Sequence, residues 1–119
     1  MITIYHNPRC SKSRAAFSLI EGFCQSNDEP VQLIEYLKQP PSVDQLAELH
    51  RMLGCPVRDM VRVDEAEYRE LGLDRADVTD REIYDAIAKH PILLQRPIVV
   101  RDGRAVIGRP PENVAAIFE

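Results

Sequence analysis

Apolar and polar positions in the first third of the chain predict a strand, a helix and a second strand. Residues 2–5 form a short apolar segment typical of a strand, and residues 31–37 form another. Between them, residues 11–25 carry apolar side chains at the spacing of one helix face. That face comprises Ala16, Leu19, Ile20 and Phe23. The polar segment 26–30 ends the helix. A strand–helix–strand unit of this kind predicts two parallel strands.

The middle of the chain predicts a series of helices. Two capping boxes open helices there: Ser42 with Gln45, and Thr79 with Glu82. The first of these helices runs to about residue 53 and ends at Gly54. Two shorter helices are expected over residues 57–62 and 64–71. The last helix stops before His90, because a residue that precedes proline avoids the helical conformation.

The end of the chain changes from helical to strand-like character. Residues 97–101 predict a strand, residues 102–103 (Asp-Gly) are a hairpin signal, and residues 104–108 predict the returning antiparallel strand. Pro110 opens a final helix with an apolar face.

Together these elements predict one α/β domain over residues 1–119. Its expected architecture is thioredoxin-like (glutaredoxin-like), a mixed four-stranded sheet with a helical insertion near residues 40–90. The length suits a single compact domain.

Composition and charge narrow the class of protein. The residues are 45% hydrophobic and 29% charged, which is ordinary for a globular domain. No apolar run reaches membrane-spanning length and the N-terminus lacks signal-peptide features, so we expect a cytoplasmic protein that binds no membrane. A net charge of −4 disfavours binding to nucleic acid. The chain has twelve Arg and only three Lys. This excess of Arg is compatible with an oxyanion-binding site, and equally with a bias in codon composition.

The three cysteines have no short spacing between any two of them. Such a pattern is neither a disulfide framework nor a zinc motif, and with no clustered His or Cys ligands we expect no metal and no bound cofactor. Cys24 lies within an apolar helix and Cys55 follows a helix end, so both are expected to serve in packing.

Cys10 is the candidate nucleophile because it stands between a strand and a helix. Backbone N–H groups and the helix dipole at that point favour the thiolate, which is the reactive form, and Arg9, Lys12 and Arg14 add positive charge. The same N–H groups suit an oxyanion. His6 either assists deprotonation or hydrogen-bonds within the loop. The alternative, a small buried apolar Cys10, is disfavoured by these polar and cationic surroundings.

The residues at two positions near Cys10 exclude a dithiol motif and a cysteine phosphatase loop. Ser13 stands where a Cys-x-x-Cys dithiol has its second thiol, and Ala16 stands where a cysteine phosphatase loop has its arginine. A single cysteine that becomes oxidised needs a resolving thiol from elsewhere.

Five short blocks of residues, each occurring once, follow one another in a characteristic order along the chain. They are residues 4–14 (Ile-Tyr-His-Asn-Pro-Arg-Cys-Ser-Lys-Ser-Arg), Tyr36-Leu37 followed by Pro40-Pro41, residues 90–93 (His-Pro-Ile-Leu), residues 96–100 (Arg-Pro-Ile-Val-Val) and residues 107–111 (Ile-Gly-Arg-Pro-Pro). Together they resemble the ArsC family of glutaredoxin-linked arsenate reductases. Better-known members have Gly-Thr in place of Ser11-Lys12 and a longer C-terminal extension, so the chain is closer to a short YfgD-like branch.

The resemblance implies a site as well as a fold. Cys10 takes the place of the catalytic cysteine, with His6 and Ser13 beside it. Three arginines take the place of the substrate-binding set: Arg62, Arg96 and Arg109. Pro97 takes the place of a proline that follows a cis peptide in thioredoxin-like folds.

The resemblance also implies a reaction. The Cys10 thiolate attacks arsenate to form a thiol–arsenate adduct, glutathione serves as the reducing co-substrate, glutaredoxin completes the reduction, and arsenite is released. Arsenate is a multiply charged oxyanion, so thiolate attack on it requires converging positive charge.

Two other functions are compatible with this fold. One is a redox-sensing regulator of the Spx type that binds RNA polymerase, although such regulators carry a Cys-x-x-Cys switch and this chain has Ser13. The other is reduction of a different thiol adduct, such as a glutathione mixed disulfide.

Overall fold

The computed structural model describes residues 1–118. Its chain forms two compact units, one of residues 1–39 with the segment from Arg96 onward, and the other of residues 40–95. The second unit is the helical insertion, and its observed extent agrees with the expected one. The prediction that the whole chain is a single domain stays a prediction.

The first unit is built around a mixed four-stranded sheet. Its elements in chain order are β1 (Ile2–His6), α1 (Ser11–Asn27), β2 (Val31–Glu35), β3 (Ile98–Arg101), β4 (Arg104–Ile107) and a final 3₁₀ helix (Pro111–Phe118). The strand order is β2-β1-β3-β4. Strand β1 is parallel to β2, whereas β3 is antiparallel to both β1 and β4. The predicted mixed sheet with a parallel pair and a hairpin is confirmed.

The core of the first unit lies between the sheet, α1 and the final 3₁₀ helix. Its buried members come from all three: Ile2, Ile4, Ala16, Ile20, Cys24, Val99, Val114 and Ile117. Alternate residues of β1 point into this core, so the strand ends with the buried side chain of His6. The packing therefore fixes both the end of β1 and the start of α1, which are the elements that flank Cys10.

The second unit is helical. It contains α2 (Val43–Leu53), α3 (Ala66–Glu70), α4 (Asp80–Lys89) and two 3₁₀ helices (Val57–Met60 and Pro91–Leu93). Both predicted capping boxes are present, at Ser42 and at Thr79, and Gly54 ends α2 in the left-handed conformation. Arg58 orders the segment after α3, because its guanidinium donates to the carbonyl oxygens of Leu73 and Arg75 at 2.9 and 2.7 Å.

Several predicted boundaries differ from the structure. Strand β2 ends at Glu35, not residue 37, because the Glu35 carbonyl accepts the N–H groups of Lys38 and Gln39 in a turn. The element after Pro110 is a 3₁₀ helix, with the Asn113 N–H bonded to the Pro110 carbonyl. Leu19 is 49% exposed because the buried face of α1 runs through Ser13, Ala16, Ile20 and Cys24.

No helix among residues 1–118 is both long enough and apolar enough to cross a membrane.

Candidate active site

Cys10 is the N-cap residue of α1. Its backbone is extended, with φ −95° and ψ 121°, and its carbonyl accepts the first helical hydrogen bond from the Arg14 N–H at 3.0 Å. The sulfur is therefore held at the positive end of a 17-residue helix, where backbone N–H groups have no partner within the helix. The side chain is partly exposed, so a solute can reach it.

The turn before Cys10 is fixed by local hydrogen bonds. The Asn7 side-chain oxygen accepts the Arg9 N–H at 3.0 Å, and the Asn7 carbonyl accepts the Cys10 N–H at 3.0 Å. Arg14 donates to the Pro8 carbonyl at 2.9 Å and closes the turn against the first turn of the helix. Asn before Pro is a turn signal, so the sequence itself predicts a turn here. The structure confirms the turn and shows that Asn7 closes it with both its side-chain and its backbone oxygen.

Ser13 joins the helix to the end of β1. Its hydroxyl oxygen accepts the Asn7 N–H at 3.1 Å and lies 2.8 Å from Nδ1 of His6, and both side chains are buried. Of the two roles considered for His6, the structure shows hydrogen bonding within the loop. Burial lowers the pKa of His6; Glu35 opposes this effect and Arg14 adds to it. A neutral imidazole suits this contact, since it needs no buried counterion.

The thiol of Cys10 ionises more readily than an ordinary cysteine. Partial burial acts to raise its pKa, but the Ser13 N–H, the Arg96 guanidinium and the Lys12 N–H together act more strongly, and the net pKa is lowered. All three are donors or positive charges that stabilise the anion more than the thiol. Cys10 is thus set up as a thiolate nucleophile.

The other two cysteines lack this environment. Burial raises the pKa of Cys24, whose side chain lies in the core, and burial followed by the charge of Asp59 raises the pKa of Cys55. The predicted packing role of Cys24 fits its place in the core.

Arg96 and Arg109 belong to adjacent turns of the first unit. Each precedes a cis proline, at Arg96-Pro97 and Arg109-Pro110. The Arg109 guanidinium donates to the Arg96 carbonyl at 3.4 Å. Of the two arginines, Arg96 acts directly on Cys10, as described above. The resemblance correctly implied the cis peptide before Pro97; the one before Pro110 was not anticipated.

Gly108 lets these two turns approach each other. Its N–H donates to the Pro97 carbonyl at 2.9 Å. A Cβ atom at this position would lie only 2.9 Å from Cγ of Pro97 and 2.9 Å from Cγ1 of Val114. The glycine is needed for space, because any side chain would push the turns apart. No local sequence pattern predicts this, because the approach depends on how the Pro97 turn and Val114 pack against Gly108.

Arg62 lies in the second unit. Its guanidinium pairs with Glu65 at 2.7 Å, and both side chains are mostly buried. The carboxylate of Glu65 therefore neutralises the charge of Arg62. The substrate-binding role of Arg62 stays a prediction from the resemblance.

Within residues 1–118, no three or more His, Cys, Asp or Glu side chains are grouped so as to hold a metal ion. The site itself offers a cysteine thiol with a lowered pKa, helix N–H donors and a guanidinium group.

We expect Arg96→Ala to raise the pKa of Cys10, because it removes a positive charge that stabilises the thiolate. The alkylation rate with iodoacetamide rises with pH through the thiol pKa, so the profile of the variant shifts to higher pH and its rate at pH 7 falls. Arg51→Ala is the control, since Arg51 is an exposed arginine paired with Glu48. An unchanged profile for Arg96→Ala would contradict the assignment.

We expect Gly108→Ala to lower the free energy of unfolding by about 1–3 kcal/mol, the usual cost of overpacking a closely packed site. Gly22→Ala is the matched control, because Gly22 lies within α1 with no other atom within 4 Å of the added methyl. That change should stabilise the protein by about 0.5–1 kcal/mol. Denaturant unfolding measures both variants, and equal effects would refute the close-approach argument.

Comparisons with known proteins agree with this site and fold. A model of the ArsC family matches residues 5–117. A protein named arsenate reductase from Neisseria meningitidis serogroup A is 44% identical over 118 residues, covering 98% of this chain and 97% of the relative. The protein YfgD of Escherichia coli K12, named as uncharacterized, is 39% identical over 117 residues, covering 98% and 95%.

Among solved structures, an arsenate reductase from Vibrio cholerae superimposes with a TM-score of 0.88 at 44% identity, covering 98% of this chain and 96% of that one. The expected thioredoxin-like architecture is confirmed by this match. The family match spans nearly the whole chain and includes the Cys10 turn and the Arg96 and Arg109 turns. The chain therefore belongs to the ArsC family.

Proposed function

We propose that this chain is an arsenate reductase that uses Cys10 as its nucleophile and takes its electrons from glutathione and glutaredoxin. The observation that carries the proposal is the position of Cys10 as the N-cap residue of α1, where helix N–H groups and the Arg96 guanidinium act to lower the pKa of its thiol. The names of relatives that are 42–44% identical over nearly the whole chain support arsenate as the substrate.

The first step is attack of the Cys10 thiolate on arsenic. A sulfur–arsenic bond forms, an oxygen of arsenate leaves as hydroxide, and arsenic stays in its pentavalent state. The step brings two anions together, so positive charge and N–H donors lower its barrier. Arg96 and the N–H groups of Lys12 and Ser13 are the groups that supply this charge and these donors, because they already stabilise the thiolate of Cys10. Arg109 adds a second guanidinium through its contact with the Arg96 turn.

The second step reduces arsenic. The thiolate of glutathione attacks the sulfur of Cys10, a disulfide bond forms, and the sulfur–arsenic bond breaks. Its electron pair stays on arsenic, which leaves as arsenite and takes protons from water. Two thiols are oxidised by two electrons and one arsenic is reduced by two. A thiol of glutaredoxin then attacks the mixed disulfide and returns Cys10 to the thiolate.

The absence of a second thiol in the motif supports an external reductant. Ser13 occupies the position of a resolving cysteine, and it is buried in its contact with His6. Cys24 lies in the core with a raised pKa, which makes it a poor resolving thiol. The same absence of a second thiol disfavours a Cys-x-x-Cys redox switch as the function.

We expect Cys10→Ser to abolish arsenate-dependent oxidation of NADPH in an assay with glutathione, glutathione reductase and a panel of glutaredoxins, because the serine hydroxyl is a far weaker nucleophile. Cys55→Ser is the matched control and should retain activity. Full activity of Cys10→Ser would contradict the mechanism.

Two other outcomes would favour the alternative functions. Turnover of a glutathione mixed disulfide without turnover of arsenate would favour the alternative substrate. Specific co-purification with RNA polymerase would favour the redox-sensing regulator.

We expect Arg96→Ala and Arg109→Ala each to lower kcat/KM for arsenate by roughly 10²–10³-fold, the usual effect of removing one oxyanion donor. The resemblance extends the expectation to Arg62→Ala. Arg96→Lys should fall between wild type and Arg96→Ala, because it keeps the charge but loses the planar fork. Steady-state kinetics with Arg51→Ala as control measure these effects. Wild-type kcat/KM for arsenate in Arg96→Ala would contradict the assignment.

A further inference from the structure

Asn113 lies in the first turn of the final 3₁₀ helix and contacts the backbone of Arg109 and of Pro110. Its side-chain amide donates to the Arg109 carbonyl at 3.0 Å. Its backbone N–H donates to the Pro110 carbonyl, also at 3.0 Å. Asn113 takes no part in the reaction proposed above, yet it is bonded twice to the turn that carries Arg109.

The Arg109 carbonyl engages this side chain because of the residues that follow it. In an α-helix a carbonyl accepts the backbone N–H four residues later. Here the Asn113 N–H is bonded to Pro110 instead, in the pattern of a 3₁₀ helix. Pro110 and Pro111 have no N–H to donate. The Asn113 amide therefore takes the place that a backbone N–H would have in an α-helix.

The backbone of Arg109 is thus held from both sides. On one side, the Gly108 N–H donates to the Pro97 carbonyl at 2.9 Å, in a turn too closely packed for a side chain. On the other side, Asn113 holds the Arg109 carbonyl. A fixed backbone sets the direction in which the Arg109 side chain leaves the main chain. The guanidinium then meets the Arg96 carbonyl at 3.4 Å, a long hydrogen bond that by itself would hold a flexible arginine only weakly.

We propose that Asn113 is a positioning residue for Arg109, an inference that rests on the proposed function. Its amide fixes the Arg109 carbonyl and so directs the guanidinium toward the Arg96 turn, where it stabilises the charge of arsenate. The reactivity of Cys10 should not depend on Asn113. Asn113 is uncharged, and the donors and charge that lower the pKa of Cys10 lie in the first turn of α1 and at Arg96.

Asn113→Ala should lower kcat/KM for arsenate roughly tenfold, because a guanidinium that is poorly placed stabilises the transition state less. KM for glutathione and the alkylation profile of Cys10 should stay at their wild-type values. Asn113→Gln keeps an amide donor and should recover part of the loss. Asn27→Ala is the matched control. Asn27 is also an exposed asparagine of the first unit, and its amide donates to the carbonyl of Phe23, four residues earlier, at 2.9 Å.

A double-variant cycle shows whether Asn113 acts through Arg109. Arg109→Ala should lower kcat/KM for arsenate further than Asn113→Ala, because it removes the guanidinium itself. Adding Asn113→Ala to Arg109→Ala should cause no further loss, because no guanidinium is left to position. Independent, multiplying losses in the double variant, or wild-type kcat/KM in Asn113→Ala, would overturn the proposal.

A measurement on the arginine side chain separates this proposal from the proposed function. The ¹⁵N heteronuclear NOE of the Arg109 Nε–H group, assigned by comparison with Arg109→Lys, reports fast motion of the side chain and needs no arsenate turnover. The NOE should fall in Asn113→Ala and stay at its wild-type value in Asn27→Ala. That result would support the positioning role even if arsenate proves not to be the substrate. A mobile Arg109 side chain in the wild type, or an unchanged NOE in Asn113→Ala, would refute it.

Discussion

The side chain of Ser13 connects the three parts of the molecule that define the reactive thiol. Its hydroxyl contacts His6 at the end of β1 and the N–H of Asn7 in the turn, while its own N–H stabilises the sulfur of Cys10. Because Ser13 is fully buried, these contacts are shielded from water and hold one geometry. The core between the sheet and α1 fixes the distance between strand and helix. Ser13 links the two elements by its hydrogen bonds, and these contacts hold Cys10 in place between them.

The two sides of this junction carry different charges. On the β3 side, Arg96 stabilises negative charge at sulfur, and Arg109 contacts the same turn. On the β2 side, Lys38 pairs with Glu35 at 3.7 Å, so a cation and a carboxylate lie together there. Negative charge at the Cys10 sulfur is therefore stabilised from the β3 side of the junction.

The fold follows from short-range patterns to a large extent. The Ser42 and Thr79 capping boxes, the Asp102-Gly103 hairpin and the helical spacing in α1 each depend on residues a few positions apart, and each is present in the structure. Boundaries were less predictable where the deciding contact is a turn. The apolar Tyr36 and Leu37 continue the strand pattern, yet the backbone bends after Glu35, and Tyr36 is buried at the bend rather than in a strand.

The sequence by itself determined that Cys10 stands at a strand-to-helix junction with cationic neighbours, because helix dipoles, N–H groups and nearby charges are local properties. Only the tertiary structure decided that His6 hydrogen-bonds to Ser13 within the loop, that Gly108 must lack a side chain, and that a cavity opens beside β2. These features depend on how β1, α1 and the proline turns pack, which the short-range patterns of the sequence do not specify.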